Sequence, residues 1–145
     1  MSADFTHEPV MLQEVLLWLV GNRTGVYVDG TIGGAGHARV ILEQTEATLI
    51  GMDCDADALA VAEERLASFG SRKILIKANF ADLASVLKEL HVDKVDGVLL
   101  DLGVSSHQLD AAHRGFSFSQ SAPLDMRMDQ DLKRCAYDIV NYSTP

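Results

Sequence analysis

The chain has 145 residues, of which 48% are apolar, enough for one domain with a sizeable core. Its formal net charge is −9. Proteins that hold nucleic acid by neutralising phosphates usually carry a basic face, so this balance argues against tight, autonomous RNA or DNA binding. The two cysteines, Cys54 and Cys135, show neither metal-ligand spacing nor a disulfide pattern.

No targeting or membrane segment is evident in the sequence. The N-terminus, Met1–Phe5, lacks a basic start followed by an apolar run, and no apolar stretch is long enough to span a bilayer. Together with two free thiols, this pattern predicts a cytoplasmic protein with no membrane partner.

Helices and short apolar strands alternate along the first two thirds of the chain. A helix is predicted over about 9–20, with Pro9 at its first position. Later helices are predicted after Asp55 and Asp82, each acting as a cap. Four apolar runs predict strands: Val26–Val28, Thr48–Met52, Lys73–Lys77 and Val95–Leu100. This alternation implies parallel βαβ units, so the predicted fold class is α/β with a doubly wound parallel sheet.

The last third of the chain has a different pattern. Residues 103–131 read as a long loop with little periodicity, and loops of this length are usually functional or mobile. A short helix is predicted over 136–140. Four strands make a small sheet, and Ser143–Pro145 is a helix-start signal that no helix follows. We therefore expect residues 1–145 to be the N-terminal part of a longer protein, with an exposed sheet edge that would favour a homodimer.

Polar residues stand where the four predicted strands end. They are Asp29, Asp53, Asn79 and Asp101. The carboxyl ends of parallel strands share one edge of the sheet, where ligands bind at the topological switch point. Any one of these residues could be a helix cap, but together they favour a ligand site.

A glycine-rich turn, Gly33–Gly36, follows the first of these strand ends. Glycines let the backbone approach a ligand closely, and the next helix presents free N–H groups. Such a turn suits a dinucleotide, S-adenosylmethionine or a purely structural role. A phosphate-cradling P-loop is not expected because no G-x-x-x-x-G-K-[ST] pattern is present.

Three other residues narrow the identity of the predicted ligand. Asp53 is placed to accept hydrogen bonds from two ribose hydroxyls, which supports an adenosine-bearing cofactor without separating NAD from S-adenosylmethionine. Phe80 could pack on an adenine face or belong to the core. Asp101 could accept a hydrogen bond from an amine nucleophile or from the ammonium group of the cofactor.

Hydrolase and metal chemistry find little support. Ser105, Ser106 and His107 lie together, yet no G-x-S-x-G elbow surrounds either serine. His7 and His37 could each be a base or a ligand, but no metal spacing connects them, so no metal site is expected.

Eight sequence blocks together resemble the bacterial small-subunit ribosomal RNA (cytosine-N4)-methyltransferase family. The blocks are His7–Leu12, Asp29–His37, Gly51–Asp55, Asn79–Phe80, Asp96–Ser106, Gln108–Asp110, Arg114–Phe118 and Pro123–Asp129. The last three are long, ordered and unusual, which makes the match specific. The family is about twice as long, with an inserted helical region and further core strands that this chain does not contain.

The resemblance implies a Rossmann-like methyltransferase core that uses S-adenosylmethionine and modifies small-subunit (16S) ribosomal RNA. It implies cofactor contacts at these positions: Ala35, Gly36, His37, Asp53, Phe80, Asp101 and Gln108. The sequence departs from the family at two of its positions. The family usually has glycine at position 35 and a basic residue at position 54.

The expected reaction is in-line transfer of the sulfonium methyl group to the exocyclic amine of a cytidine. Asp101 is the candidate catalytic residue, as acceptor of an amine N–H. The loop from Ser105 to Asp129 would cover the exposed base or only shape the cofactor pocket. Two rival functions stay open, an NAD-dependent dehydrogenase and a truncated cofactor-binding remnant without methyltransferase activity.

Overall fold

The computed structural model describes residues 9–144, so the predictions for Met1–Phe5, His7 and Pro145 lie outside the described residues. The chain divides into two compact units. Their described parts are residues 9–102, here called the sheet unit, and residues 103–144, here called the C-terminal unit.

The sheet unit alternates strands and helices as the sequence predicts. Its strands are β1 (Val26–Asp29), β2 (Thr48–Asp53), β3 (Lys73–Lys77) and β4 (Gly97–Leu99). Its helices are α1 (Leu12–Leu19), α2 (Gly36–Gln44), α3 (Ala56–Arg65) and α4 (Leu83–Glu89). Two 3-10 segments, Ala67–Arg72 and Phe80–Asp82, precede β3 and α4.

The four strands form one parallel sheet in the order β3-β2-β1-β4. Val28 of β1 pairs with Ile50 on one side and with Val98 on the other. The predicted α/β class with a parallel, Rossmann-like sheet is confirmed. Successive strands run outward from β1 to β3, and the chain then returns to place β4 on the other side of β1. The topological switch point therefore lies between β1 and β4.

Apolar side chains pack on both faces of the sheet, as expected for strands covered by helices. One cluster joins Tyr27 and Leu49 to Ile41 and Leu42 of α2. The other joins alternate strand residues, including Val28 and Ile50, to α4. The core thus holds the strands rigidly and leaves their carboxyl ends to carry polar groups.

Helix α1 begins later than predicted. Its first residue is Leu12, and Met11 at the N-cap has a φ of 55°, in the left-handed region. That conformation interrupts the helix, so the prediction that Pro9 is the first helical residue is wrong.

One of the two predicted helix caps is confirmed. Asp55 accepts a hydrogen bond from Asp57 N at 3.1 Å at the start of α3. Asp82 stands at the N-cap of α4 without a capping hydrogen bond from its side chain, so that prediction is wrong. Asn79 caps the preceding 3-10 turn instead, by accepting from Ala81 N at 2.9 Å. β4 is also shorter than the predicted run 95–100.

The C-terminal unit contains more regular structure than the predicted loop. Its elements are α5 (Ser106–Asp110), a 3-10 turn (Ala112–Arg114) and α6 (Ala136–Tyr142). The prediction missed α5 because a five-residue helix is too short to show apolar periodicity. The helix predicted over 136–140 is confirmed. Throughout residues 9–144, the helices lack the length and apolar character that a bilayer span requires.

Candidate ligand site at the carboxyl edge of the sheet

Three aspartates converge at the carboxyl edge of the sheet unit. Asp29 and Asp53 end β1 and β2, and Asp101 follows β4. Asp29 is only 2% exposed. Burial raises the pKa of Asp29 to about 6, while the Thr31 N–H and the nearby His37 act to lower it. The like charges of Asp53 and Asp101 raise it further, so the three carboxylates share one negative region.

The glycine-rich turn after β1 has two left-handed residues. Gly33 has a φ of 47° and Ala35 a φ of 61°. A left-handed alanine costs roughly 1–2 kcal/mol, so a glycine at position 35 would relieve this strain.

The turn is fixed from two directions. Asp53 Oδ2 accepts from Gly33 N at 2.9 Å, and its Oδ1 accepts from Asp55 N at 2.9 Å. Arg65 Nη1 of α3 donates to Gly34 O at 2.8 Å. The predicted ribose acceptor is therefore also the residue that ties the turn to β2.

Helix α2 begins directly after the turn and is closely packed there. A Cβ placed on Gly36 would lie 2.3 Å from Pro9 Cγ, so only glycine fits. Ala35 at the N-cap provides no side-chain hydrogen bond to the first N–H groups of α2. His37, 8% exposed, has its Nε2 at 2.8 Å from Val10 O. Because a carbonyl can only accept, the Nε2–H donates, and the imidazole joins α2 to the segment before α1.

Phe80 lies beside the end of β1. A Cβ on Gly30 would come within 3.1 Å of Phe80 Cβ. Phe80 is nevertheless 41% exposed, so part of its side chain is accessible at the carboxyl edge. This position is compatible with the predicted packing against an adenine.

Asp101 is exposed, and its backbone N–H donates to Thr31 Oγ1 at 2.7 Å. This bond fastens the chain after β4 to the turn after β1. Sequence reasoning placed Asp101 at this edge but missed Thr31, because a hydroxyl acceptor in a glycine-rich turn carries no periodic signal.

Gln108 belongs to the C-terminal unit, where it completes a capping box. Its Oε1 accepts from Ser105 N at 3.1 Å, and Ser105 Oγ accepts from Gln108 N at 3.2 Å. Gln108 is 6% exposed. Its predicted contact with the cofactor stays a prediction.

Arg114 and Arg127, which the sequence assigned to the covering loop, hold the C-terminal unit together. Arg114 is fully buried and its Nη2 donates to Met128 O at 2.9 Å. Arg127 donates to both carboxylate oxygens of Asp125, at 2.8 and 2.7 Å. That pairing lowers the pKa of Asp125 to about 2. Phe118, which also lies in the predicted covering loop, is exposed.

A glycine-rich turn and strand-end carboxylates at the switch point of a parallel sheet define an α/β protein of the nucleotide-cofactor-binding class. Residues 9–144 hold no group of three His, Cys, Asp or Glu side chains suited to a metal ion. The model of the MraW methylase family matches residues 4–144, and the chain belongs to this family. The family resemblance in the sequence is thereby confirmed.

Curated relatives are named ribosomal RNA small subunit methyltransferase H. The protein from Syntrophus aciditrophicus is 59% identical over 137 residues, which cover 93% of this chain and 44% of the relative. The protein from Geobacter sulfurreducens is 59% identical over 139 residues, covering 94% and 45%. The protein from Syntrophotalea carbinolica is 54% identical over 143 residues, covering 97% and 46%. The chain spans less than half the length of these relatives.

Proposed function

We propose that this chain provides the cofactor-binding part of an S-adenosylmethionine-dependent methyltransferase acting on N4 of a cytidine in small-subunit ribosomal RNA. The observation that carries the proposal is the family match over residues 4–144, in a fold that brings the predicted Asp53 and Asp101 to one sheet edge. In this proposal residues 1–145 are the N-terminal part of the methyltransferase domain. The inserted helical region and the C-terminal strands of the family lie outside them.

The electrostatics of the edge favour S-adenosylmethionine over NAD. Asp29, Asp53 and Asp101 create a negative region, as their mutual effect on the pKa of Asp29 indicates. S-adenosylmethionine brings a sulfonium and an ammonium cation, which such a region attracts. NAD carries one cation, on its nicotinamide ring, together with an anionic pyrophosphate, so it gains less from this negative region.

Each part of the cofactor has a matching group in the sheet unit. Asp53 keeps lone pairs for the ribose hydroxyls, because a carboxylate has about four acceptor positions and two already accept backbone N–H groups. The side chain of Phe80 would pack on the adenine. The start of α2, which has no side-chain cap, would take the carboxylate through the backbone N–H groups of Ala35, Gly36 and His37. The imidazole of His37 contacts Val10 O and so serves the structure.

Asp101 is proposed to orient the amine that receives the methyl group. S-adenosylmethionine supplies the electrophilic methyl group, and the protein supplies placement and charge. The amine of cytosine is a poor nucleophile because its lone pair is delocalised into the ring. An exposed carboxylate that accepts one amine N–H helps the nitrogen to become pyramidal and later to lose its proton. Asp101 could instead hold the ammonium group of the cofactor, and its variants separate the two roles.

The proposed partner is the RNA of the small ribosomal subunit, which would place the protein in the cytoplasm. Gln108 in the C-terminal unit is proposed as a further cofactor contact. Self-association through a sheet edge is also proposed and is tested by the molecular mass in solution. The alternative function is a cofactor-binding remnant without transfer activity.

Transfer of a labelled methyl group from S-adenosylmethionine to small ribosomal subunits tests this proposal. The wild type should label the RNA at a cytidine N4, and Asp101→Ala should lower the rate by about 100-fold, typical of lost acid–base assistance. Asp93→Ala, an exposed aspartate between α4 and β4, is the matched control and should keep the rate. Equal rates for wild type and Asp101→Ala would remove Asp101 from catalysis. Cofactor binding without any labelling would support the remnant.

A further inference from the structure

One threonine hydroxyl joins the two strand ends that flank the switch point. Thr31 lies in the turn after β1, and Asp101 lies after β4, 70 positions later in the chain. The Asp101 N–H donates to Thr31 Oγ1 at 2.7 Å, a short and well-formed hydrogen bond.

This hydrogen bond joins the two chain segments just beyond the last residue pair of β1 and β4. The last paired residues of β1 and β4 are Asp29 and Leu99. Gly30 N then donates to Leu99 O at 2.9 Å. Beyond that point the main chain at Asp101 is held by the side chain of Thr31 rather than by the ladder.

Thr31 is itself fixed in place. Its N–H donates to Asp29 Oδ1 at 3.1 Å, and the carboxylate of Asp29 is buried at the end of β1. The next residue, Ile32, donates its N–H to Met52 O of β2 at 3.0 Å. The hydroxyl therefore projects from a backbone anchored to two strands, which makes its position well defined.

We propose that Thr31 is the positioning residue of the site, whose hydroxyl sets the place of the Asp101 carboxylate relative to the glycine-rich turn. Thr31 acts through Asp101 and needs no contact with the substrate. The role rests on the proposed function, in which Asp101 faces the amine or the ammonium group of the cofactor. Thr31→Ser preserves this role because serine keeps the hydroxyl. Thr31→Val abolishes it because valine has the same shape without the hydroxyl.

Amide hydrogen exchange at Asp101, followed by NMR, tests the geometry without reference to function. The Asp101 amide should exchange slowly in the wild type and in Thr31→Ser. In Thr31→Val it should exchange about three- to tenfold faster, the range expected for one net hydrogen bond. Thr48→Val is the matched control, because Thr48 pairs with Val26 at the opposite end of the sheet. Equal exchange in wild type and Thr31→Val would overturn the proposal.

A double-mutant cycle tests whether Thr31 acts through Asp101. We expect Thr31→Val to weaken S-adenosylmethionine binding or to lower kcat about three- to tenfold, in whichever quantity Asp101→Ala itself affects. Thr31→Ser should stay close to the wild type. In the Asp101→Ala background, Thr31→Val should add nothing, because the carboxylate it positions is gone.

The outcomes separate the positioning role from the proposed function. An equal loss from Thr31→Val with and without the Asp101 carboxylate would contradict a role through Asp101. Absence of S-adenosylmethionine binding by the wild type would defeat the proposed function. Hydrogen exchange at Asp101 would then still decide whether Thr31 positions that residue.

Discussion

The sheet unit and the C-terminal unit are held together by different forces. In the sheet unit, apolar side chains from strands and helices form two clusters, and the polar contacts gather at the carboxyl edge. Within residues 103–144, the buried side chains are Gln108 and Arg114. Gln108 accepts a hydrogen bond from a backbone N–H group, and Arg114 donates to a backbone carbonyl. The first unit depends on burial of apolar area and the second on side chains that satisfy carbonyl and amide groups.

The pKa of one carboxylate in each unit reflects this difference in stabilising forces. Burial raises the pKa of Asp29 in the sheet unit to about 6. The guanidinium of Arg127 lowers the pKa of Asp125 in the C-terminal unit to about 2. A buried carboxylate with a raised pKa lowers the stability of the folded state near neutral pH, and such groups cluster at functional sites, which is consistent with the place of Asp29 at the candidate site.

Removing Arg114 should produce the largest effect on the C-terminal unit. Arg114→Met keeps an apolar stem but leaves the carbonyls of Arg127 and Met128 without their donor. We expect the free energy of opening of residues 103–144 to fall by about 2–4 kcal/mol. Amide exchange followed by mass spectrometry should show this loss in 103–144, with 26–53 unchanged. Arg134→Met, at an exposed position, is the control, and equal loss in both variants would contradict the account.

Neutralising Asp29 should change how the stability of the sheet unit depends on pH. The pKa rises from 3.8 to about 6 on folding, so the folded state binds more protons than the unfolded state between these values. The free energy of unfolding therefore falls as pH rises from about 4 to 7, by at most about 3 kcal/mol. Asp29→Asn removes this pH dependence of the free energy of unfolding and keeps an acceptor for Thr31 N.

Urea unfolding at several pH values measures this effect. Asp29→Asn should gain stability over the wild type at pH about 7 and lose most of that advantage at pH about 4. Asp93→Asn, at an exposed position, serves as the control. A difference between Asp29→Asn and wild type that is the same at every pH would contradict the assigned burial of the charge.

The smallest effect concerns backbone conformation in the glycine-rich turn. A Cβ on Gly33 would make only an ordinary van der Waals contact, 3.8 Å from Thr31 O, and a Cβ on Gly21 would meet nothing within 4 Å, but only Gly33 has a positive φ. Gly33→Ala should therefore destabilise the sheet unit by about 1–2 kcal/mol, and Gly21→Ala should not. Thermal unfolding of the two variants makes the comparison. Equal melting temperatures would mean that the turn tolerates an alanine at this position, as it does at position 35.

The two units also differ in how far the sequence predicts them. Strands such as Thr48–Asp53 are apolar runs between turn residues, and their parallel pairing follows from the alternation with helices. The carboxyl edge follows from the same alternation, which is why Asp29, Asp53 and Asp101 were placed together correctly. Hydrogen bonds between side chains and distant backbone atoms have no such pattern. The sequence therefore does not predict the hydrogen bond between Arg65 and Gly34 or the one between Thr31 and Asp101.

The sequence predicts neither the start of α1 nor the side-chain contacts within the C-terminal unit, for the same kind of reason. The left-handed conformation of Met11 is set by tertiary packing, whereas Pro9 signalled an earlier start. Arg114 and Arg127 lie within the predicted covering loop, and their guanidinium groups bind carbonyls and a carboxylate within the unit. An exposed role for an arginine cannot be distinguished from a buried one by residue type alone.

Calorimetric titration of the protein with S-adenosylmethionine and, separately, with NAD tests the central claim most directly. The account predicts that S-adenosylmethionine binds and NAD does not. It also predicts that Asp53→Asn weakens the binding of S-adenosylmethionine at least about tenfold, the loss expected for hydrogen bonds to a charged acceptor, while Asp93→Asn leaves it unchanged. Binding of NAD as tight as that of S-adenosylmethionine would contradict S-adenosylmethionine as the cofactor, and binding of S-adenosylmethionine unaffected by Asp53→Asn would contradict a cofactor site at the carboxyl edge of this sheet.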